Sequence, residues 1–150
     1  DHGAAIVDPS TGDIVSTSTS ESALKVAEAE GDGTGAGQLP HNPLFSPVLL
    51  AVQGVARIQR ELASKHGMGS SEVANGQYLC TGLDCYCRDE PDYFEGMALL
   101  HSRIRRVIFQ RDNVESGGLG GNGIEKSIHS IKDTNHPFRV FRRKGKGGGG

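Results

Sequence analysis

The stretch Glu90-Pro91-Asp92-Tyr93-Phe94-Glu95-Gly96-Met97-Ala98-Leu99-Leu100-His101-Ser102-Arg103 decides how this sequence is read. Asp92 and Glu95 stand at the spacing of a capping box, with a side-chain acceptor at the N-cap and a carboxylate at the third helical position. Each carboxylate also sits at the positive end of the helix dipole, where it is favoured by roughly 0.3–1 kcal/mol. The apolar run Met97-Ala98-Leu99-Leu100 carries the helix onward, so a helix is expected over 92–103. Two readings of the charge pair stay open here: a well-made helix start, or oxygen ligands for a hard metal ion.

Outward from this helix, Arg105-Arg106-Val107-Ile108-Phe109-Gln110 reads as a buried strand on its far side. On its near side, Tyr78-Leu79-Cys80 and Leu83 to Cys87 read as a strand region that gives way at Arg88. Strand, helix and strand in close succession imply a βαβ unit with a right-handed crossover. Further upstream, Ser46-Pro47 is a strong helix start, a serine N-cap followed by proline at the first helical position. Val48, Leu49, Ala51, Val52, Val55, Ala56, Ile58 and Leu62 follow at helical spacing, giving a helix over 47–63. Gly54 in its interior costs up to about 1 kcal/mol and implies that something packs close.

The chain opens with two short β-branched runs, 4–7 and 14–17, around the Asp8-Pro9-Ser10-Thr11-Gly12-Asp13 turn, which reads as a hairpin. Residues 18–42 read as a flexible insertion loop, within which Glu21 to Glu30 has the composition of a short surface helix. Residues 111–123 read as a loop, 124–131 as a short helix and Phe138 to Phe141 as a last strand or docked tail. A single domain over 1–143 is expected, with 144–150 a disordered basic and glycine-rich tail.

Composition narrows the classes. A chain of 150 residues with 35% apolar content fits one domain with one core, while 22 glycines require substantial loop. No run reaches the roughly 18 apolar residues of a membrane helix. The start at Asp1-His2-Gly3 lacks the pattern of a signal peptide. Three clustered cysteines, Cys80, Cys85 and Cys87, argue against a secreted disulfide framework. An intracellular protein, nuclear or cytoplasmic and not a membrane protein, is therefore expected. The formal charge of −2 hides an asymmetry: residues 1–100 hold 5 Lys/Arg against 14 Asp/Glu (net −9), and residues 101–150 hold 11 against 4 (net +7). A basic C-terminal third suggests an acidic partner such as nucleic acid, or simply a solvated basic face.

Several local patterns carry little. Gly118-x-Gly120-x-x-Gly123 matches a dinucleotide fingerprint in letters, but it neither follows a strand directly nor opens a long helix, so it reads as flexible loop. The cysteines lack the C-x-x-C spacing of zinc knuckles and read as small core residues, with Cys85 and Cys87 on one side of a strand. His101 and His136 read as structural, and no Ser/His/Asp or Cys/His set has local support.

Four stretches together resemble the tRNA adenosine deaminase family: Tyr78-Leu79-Cys80-Thr81-Gly82, Glu90-Pro91, Gly96 to Ile104, and Asn135-His136-Pro137-Phe138-Arg139-Val140-Phe141. Within that family the match is closest to the non-catalytic subunit of the eukaryotic heterodimeric wobble enzyme, and it spans roughly 43–143. The resemblance implies a cytidine-deaminase-like fold: a three-layer α/β/α domain with a mixed sheet of about five strands.

The departures from that pattern bear on chemistry. Zinc deaminases hold the metal with a His-x-Glu at one helix start and a Pro-Cys-x-x-Cys at another, the Glu shuttling protons. By the resemblance, Ser46, Asp92 and Glu95 occupy the three zinc-ligand positions and Val48 the proton-shuttle position. Valine cannot act as a general acid or base. Without metal, water keeps its ordinary high pKa and does not become a nucleophile at neutral pH. No catalytic residue, metal or cofactor is therefore expected in this chain, with zinc in a partner subunit. The resemblance implies a catalytically silent subunit of a heterodimer that converts adenosine to inosine at the tRNA wobble position; the alternative is a stand-alone RNA-binding or scaffold domain. Arg103, Arg105, Arg106, Arg139, Arg142, Arg143, Lys144 and Lys146 are the candidate contacts to tRNA or to the partner. Capping side chains at both altered helix starts are expected to fasten them where metal otherwise would.

Overall fold

The computed structural model describes residues 3–19, 43–67, 78–120, 127–128, 131 and 136–144. The hairpin forms from β1 (Gly3–Val7) and β2 (Ile14–Thr19). Its turn is fixed by Asp8, whose Oδ1 accepts from both the N–H (2.8 Å) and the hydroxyl (2.6 Å) of Ser10. Gly12 takes the left-handed backbone conformation there, at φ +80°. Ser18 and Thr19 complete β2, so the insertion expected from residue 18 starts no earlier than residue 20. Residues 20–42, including the expected short helix, lie outside the described residues, as does most of 124–131.

A single 3-10 turn, Pro43–Phe45, leads into α1 (Pro47–Lys65). After the turn at 78–83 come β3 (Asp84–Asp89), α2 (Tyr93–His101), β4 (Arg106–Arg111) and β5 (Arg139–Arg142). Two expectations need correction. Tyr78-Leu79-Cys80 is a turn, with Thr81 N–H donating to Tyr78 O at 2.9 Å and Leu79 at φ +40°, so it adds nothing to the strand. At its other end β3 runs through Arg88 and Asp89, because Asp89 still pairs with Arg111 on the parallel neighbour. The second helix is shorter than expected: Ser102 caps it, and Arg103 turns the chain at φ +60°.

The sheet has the order β2-β1-β3-β4-β5. β1 runs antiparallel to both β2 and β3, whereas β3, β4 and β5 are parallel. This is the mixed five-stranded α/β sheet expected, and β3-α2-β4 is its βαβ unit.

Register decides the two faces. Ala4 pairs with Cys87 and Ile6 with Cys85, which continue to Phe109 and Val107, so these six side chains share one face. That face is buried together with Val48, Ala51 and Val55 of α1 and Leu99 of α2, which places both described helices over it. Full burial of a residue such as Leu99 contributes about 1.5–3 kcal/mol. Gly54 explains itself here: a Cβ on it would lie 2.1 Å from Ser16 Oγ, so only glycine lets α1 sit this close to β2. The opposite face carries Ala5, Tyr86, Ile108 and Phe141 in one cross-strand row. Among the described residues no helix covers that face, so they supply one of the two outer layers of the three-layer arrangement.

Candidate functional site at two capped helix starts

Both helix starts lie at the same end of the sheet. α2 begins four residues after the last residue of β3, with only Glu90, Pro91 and Asp92 between. α1 passes Ser16 at Gly54 and reaches Leu79, just ahead of β3, where Gln59 Nε2 donates to Leu79 O at 2.8 Å. Its direction therefore carries Ser46 back toward the end where β3 stops and α2 starts.

At the first start, Ser46 has extended backbone (φ −66°, ψ 149°), and its Oγ accepts from Leu49 N–H at 3.2 Å. Val48, which the resemblance sets at the proton-shuttle position, is only 4% exposed and belongs to the core. At the second start the capping box is complete: Glu95 N–H donates to Asp92 Oδ1 at 2.7 Å, and Asp92 N–H donates to Glu95 Oε2 at 2.9 Å. Two of the four N–H groups that any helix start leaves without an intrahelical partner are met. Below this helix the Cys85 thiol is pushed well above its ordinary pKa by its hydrogen bond with Cys87, by burial, and by neighbours that include Glu95. Burial also pushes the Cys80 thiol up, to about 11. All three cysteines are free, and Cys85 and Cys87 face the same core, as their spacing predicted.

The zinc that the resemblance implies for the fold does not fit this donor set. The side chains that the resemblance sets at its ligand positions, Ser46, Asp92 and Glu95, each hold a backbone N–H as a cap. Among the described residues, no group of three or more His, Cys, Asp or Glu side chains could hold a metal ion. No chemical step is therefore derived through a metal in this chain.

A neighbouring carboxylate escaped the sequence reading. Glu90 is 2% exposed, and its two oxygens accept from Leu119 N–H (2.9 Å) and Asn113 N–H (3.1 Å). The following segment is stitched to α2 as well: Gly118 N–H donates to Pro91 O at 2.9 Å, and Gly117 bridges to Asp92. Any side chain at position 118 would fall 2.8 Å from Tyr93 Cα. The described part of the expected flexible loop is thus a clasp, with Gly117, Gly118 and Leu119 buried. No local pattern announces this, since Glu90 and Leu119 are 29 residues apart.

The candidate basic contacts are separated by the fold. Arg106 forms a fork with the buried Asp84 (Nε to Oδ1 2.9 Å, Nε to Oδ2 3.0 Å), which raises its pKa further. Arg142 pairs with Asp112 at 2.8 Å. Arg103 lies over the Tyr78 ring, 4.6 Å from its centroid. Arg105 and Arg139 are exposed at the beginning of β4 and β5, joined by the bond from Arg139 N–H to Arg105 O. Arg143 and Lys144 are exposed past the other end of β5. Lys146 lies outside the described residues.

A five-stranded mixed sheet with two helices on one face is shared with cytidine-deaminase-like proteins. Solved structures share it: a chain from studies of A-to-I editing by tRNA deaminases at the wobble position of transfer RNA superposes at a TM-score of 0.54, with 17% identity over 95% of this chain and 82% of that one. A dCMP deaminase from the cyanophage S-TIM5 superposes at 0.51, with 13% identity over 95% and 81%. No protein-family model matches the chain.

The relatives in sequence are more particular: the chain is similar to proteins named as probable inactive tRNA-specific adenosine deaminase-like proteins or as tRNA-specific adenosine deaminase subunits. It is 30% identical over 156 residues (93% of this chain, 40% of the relative) to a Mus musculus protein named probable inactive tRNA-specific adenosine deaminase-like protein 3. It is likewise 30% identical over 139 residues (92% and 37%) to the Schizosaccharomyces pombe tRNA-specific adenosine deaminase subunit tad3. A Danio rerio protein with the same name as the mouse one is 40% identical over 78 residues, 49% of this chain and 22% of its own length. The chain thus spans well under half the length of these relatives. Among the described residues no helix is long and apolar enough to cross a membrane.

Proposed function

We propose that this chain is the catalytically silent subunit of a heterodimeric enzyme that deaminates adenosine to inosine at the tRNA wobble position. The observation that carries the reading is Val48, buried at the α1 start where the family pattern places a proton-shuttling glutamate. A hydrocarbon side chain there takes and returns no proton. The names of the relatives as deaminase subunits support assembly with another chain. In this reading the partner supplies zinc, the activated water and the glutamate. This chain completes the surroundings of the partner's site and contributes phosphate contacts. Arg105 and Arg139 at the start of β4 and β5, and Arg143 and Lys144 past the other end of β5, are the exposed candidates for that work, with Arg103 held over Tyr78. Contacts of this type position RNA without reading its sequence. The assembly works in the nucleus or cytoplasm, where tRNA is matured.

The test is reconstitution. This subunit alone, the zinc-containing partner alone, and the two co-expressed are each assayed for inosine in a tRNA with adenosine at the wobble position. Robust activity is expected only for the pair. Inosine formed by this subunit alone refutes the proposal.

A further inference from the structure

The first turn of α2 displays two aromatic rings that the helix itself does not require. Tyr93 is 55% exposed and Phe94 48% exposed, directly between the capping residues Asp92 and Glu95. The clasped segment stands beside them: Gly117 bridges to Asp92, and the turn it closes carries Val114, 74% exposed. Aromatic side chains bury roughly 150–250 Å² each and dominate the energetics of interfaces. Leaving two of them in water on a helix start gives the isolated chain nothing.

We propose that Tyr93, Phe94 and Val114 form a docking surface for the catalytic deaminase chain, and that Glu90 is the positioning residue that holds the surface in shape. The inference rests on the heterodimer reading above. Charge favours a polypeptide over RNA as the occupant. The charged neighbours of the patch along the chain are Asp92, Glu95 and Glu115, all carboxylates, which repel phosphate. The cations that reach this turn, Arg111 three residues before Val114 and Arg142 on Asp112, are already paired with Asp89 and Asp112 at 2.6 and 2.8 Å. The occupant is therefore an apolar surface of the second chain whose rim carries basic groups to meet these carboxylates. Glu90 acts through backbone. By accepting from Asn113 and Leu119 it fixes both ends of the Val114 turn against the helix start, so the patch is organised before the partner arrives. Such preorganisation lowers the ordering cost of association.

The experiment uses the full-length subunit and a recombinant partner that retains the His-x-Glu and Pro-Cys-x-x-Cys patterns. Association is measured by sedimentation, and amide exchange is followed in the free subunit and in the complex. The double variant Tyr93→Ser/Phe94→Ser is expected to bind at least about tenfold more weakly, the truncation of two buried rings exceeding 1.4 kcal/mol. Its melting temperature should match that of the unaltered subunit. An exposed apolar residue on the hairpin, Ile14, changed to serine should leave binding unchanged. Partner binding should protect amides 93–97 and 113–119. In Glu90→Gln the Asn113 and Leu119 amides should exchange faster in the free subunit and association should weaken. If the unaltered subunit binds the partner, but the double variant binds equally well and those amides gain no protection, the inference is overturned and the heterodimer reading stands. If the unaltered subunit does not bind the partner at all, both are overturned. Should Glu90→Gln fail to fold, the double variant decides alone.

Discussion

Asp92 and Glu95 grip each other's backbone across the first turn of α2, each side chain accepting the other's N–H at 2.7 and 2.9 Å. The resemblance sets two metal-bound thiolates at these positions. Here the pair closes the helix start with two hydrogen bonds.

If capping fastens this helix start, losing it should cost what a cap costs. Asp92→Ala is expected to lower stability by about 1 kcal/mol, within a range of 0.5–2, in urea unfolding. Purified subunit should carry no stoichiometric zinc by elemental analysis. Stoichiometric metal, lost together with stability in Asp92→Ala, would mean that the carboxylates are ligands after all.

Gly54 makes a second prediction. Replacing a mid-helix glycine by alanine gains up to about 1 kcal/mol from helix propensity alone. Here the new methyl would meet Ser16 Oγ at 2.1 Å and Ser16 Cβ at 3.2 Å. Gly54→Ala should therefore lose about 1–3 kcal/mol net, the usual cost of overpacking. Adding Ser16→Ala removes the nearer atom and should restore part of that loss.

The basic residues sort by whether removal harms the fold or the RNA complex. Arg106→Ala strands the buried Asp84 carboxylate and should lower the unfolding midpoint. Arg139→Ala and Arg143→Ala should leave the midpoint in place and weaken tRNA binding by the assembled pair. Each lost phosphate contact should reduce the slope of log K against log salt by about 0.7–0.9. An unchanged slope in both variants would place the RNA contacts elsewhere.

The cysteines give a pH dependence with a definite sign. Burial raises the Cys80 thiol to about 11 in the folded protein, from an ordinary value of 9.0. Below the ordinary value the thiol is neutral in both states and the folded state keeps its full advantage. As pH rises between these two values, the unfolded chain ionises first, and stability is lost through that window. Urea midpoints should fall from pH 9 to 11, and the fall should shrink in Cys80→Ala. At pH 8 iodoacetamide should modify Cys80 and Cys85 only as fast as the protein unfolds.

The local elements were legible because their signals are local. Ser46-Pro47 and Asp92…Glu95 name two helix starts from adjacent residues, and alternation put Cys85 and Cys87 on one face. Sequence by itself also set what position 48 can do, since a valine has no proton to give in any fold. It failed where contacts join distant residues. Tyr78-Leu79-Cys80 has the composition of a strand but became a turn, because its Cys80 N–H donates to Ser102 O at the end of α2 rather than to a neighbouring strand.

Tertiary structure alone decided which arginines are paired with carboxylates, because the partners of Arg106 and Arg142 stand 22 and 30 positions away along the chain. It alone turned a glycine-rich loop into a clasp, through a buried Glu90 whose partners lie 23 and 29 residues on. The physical reason is common to both: a charge's role depends on the partner that folding brings to it, and local composition does not encode that partner.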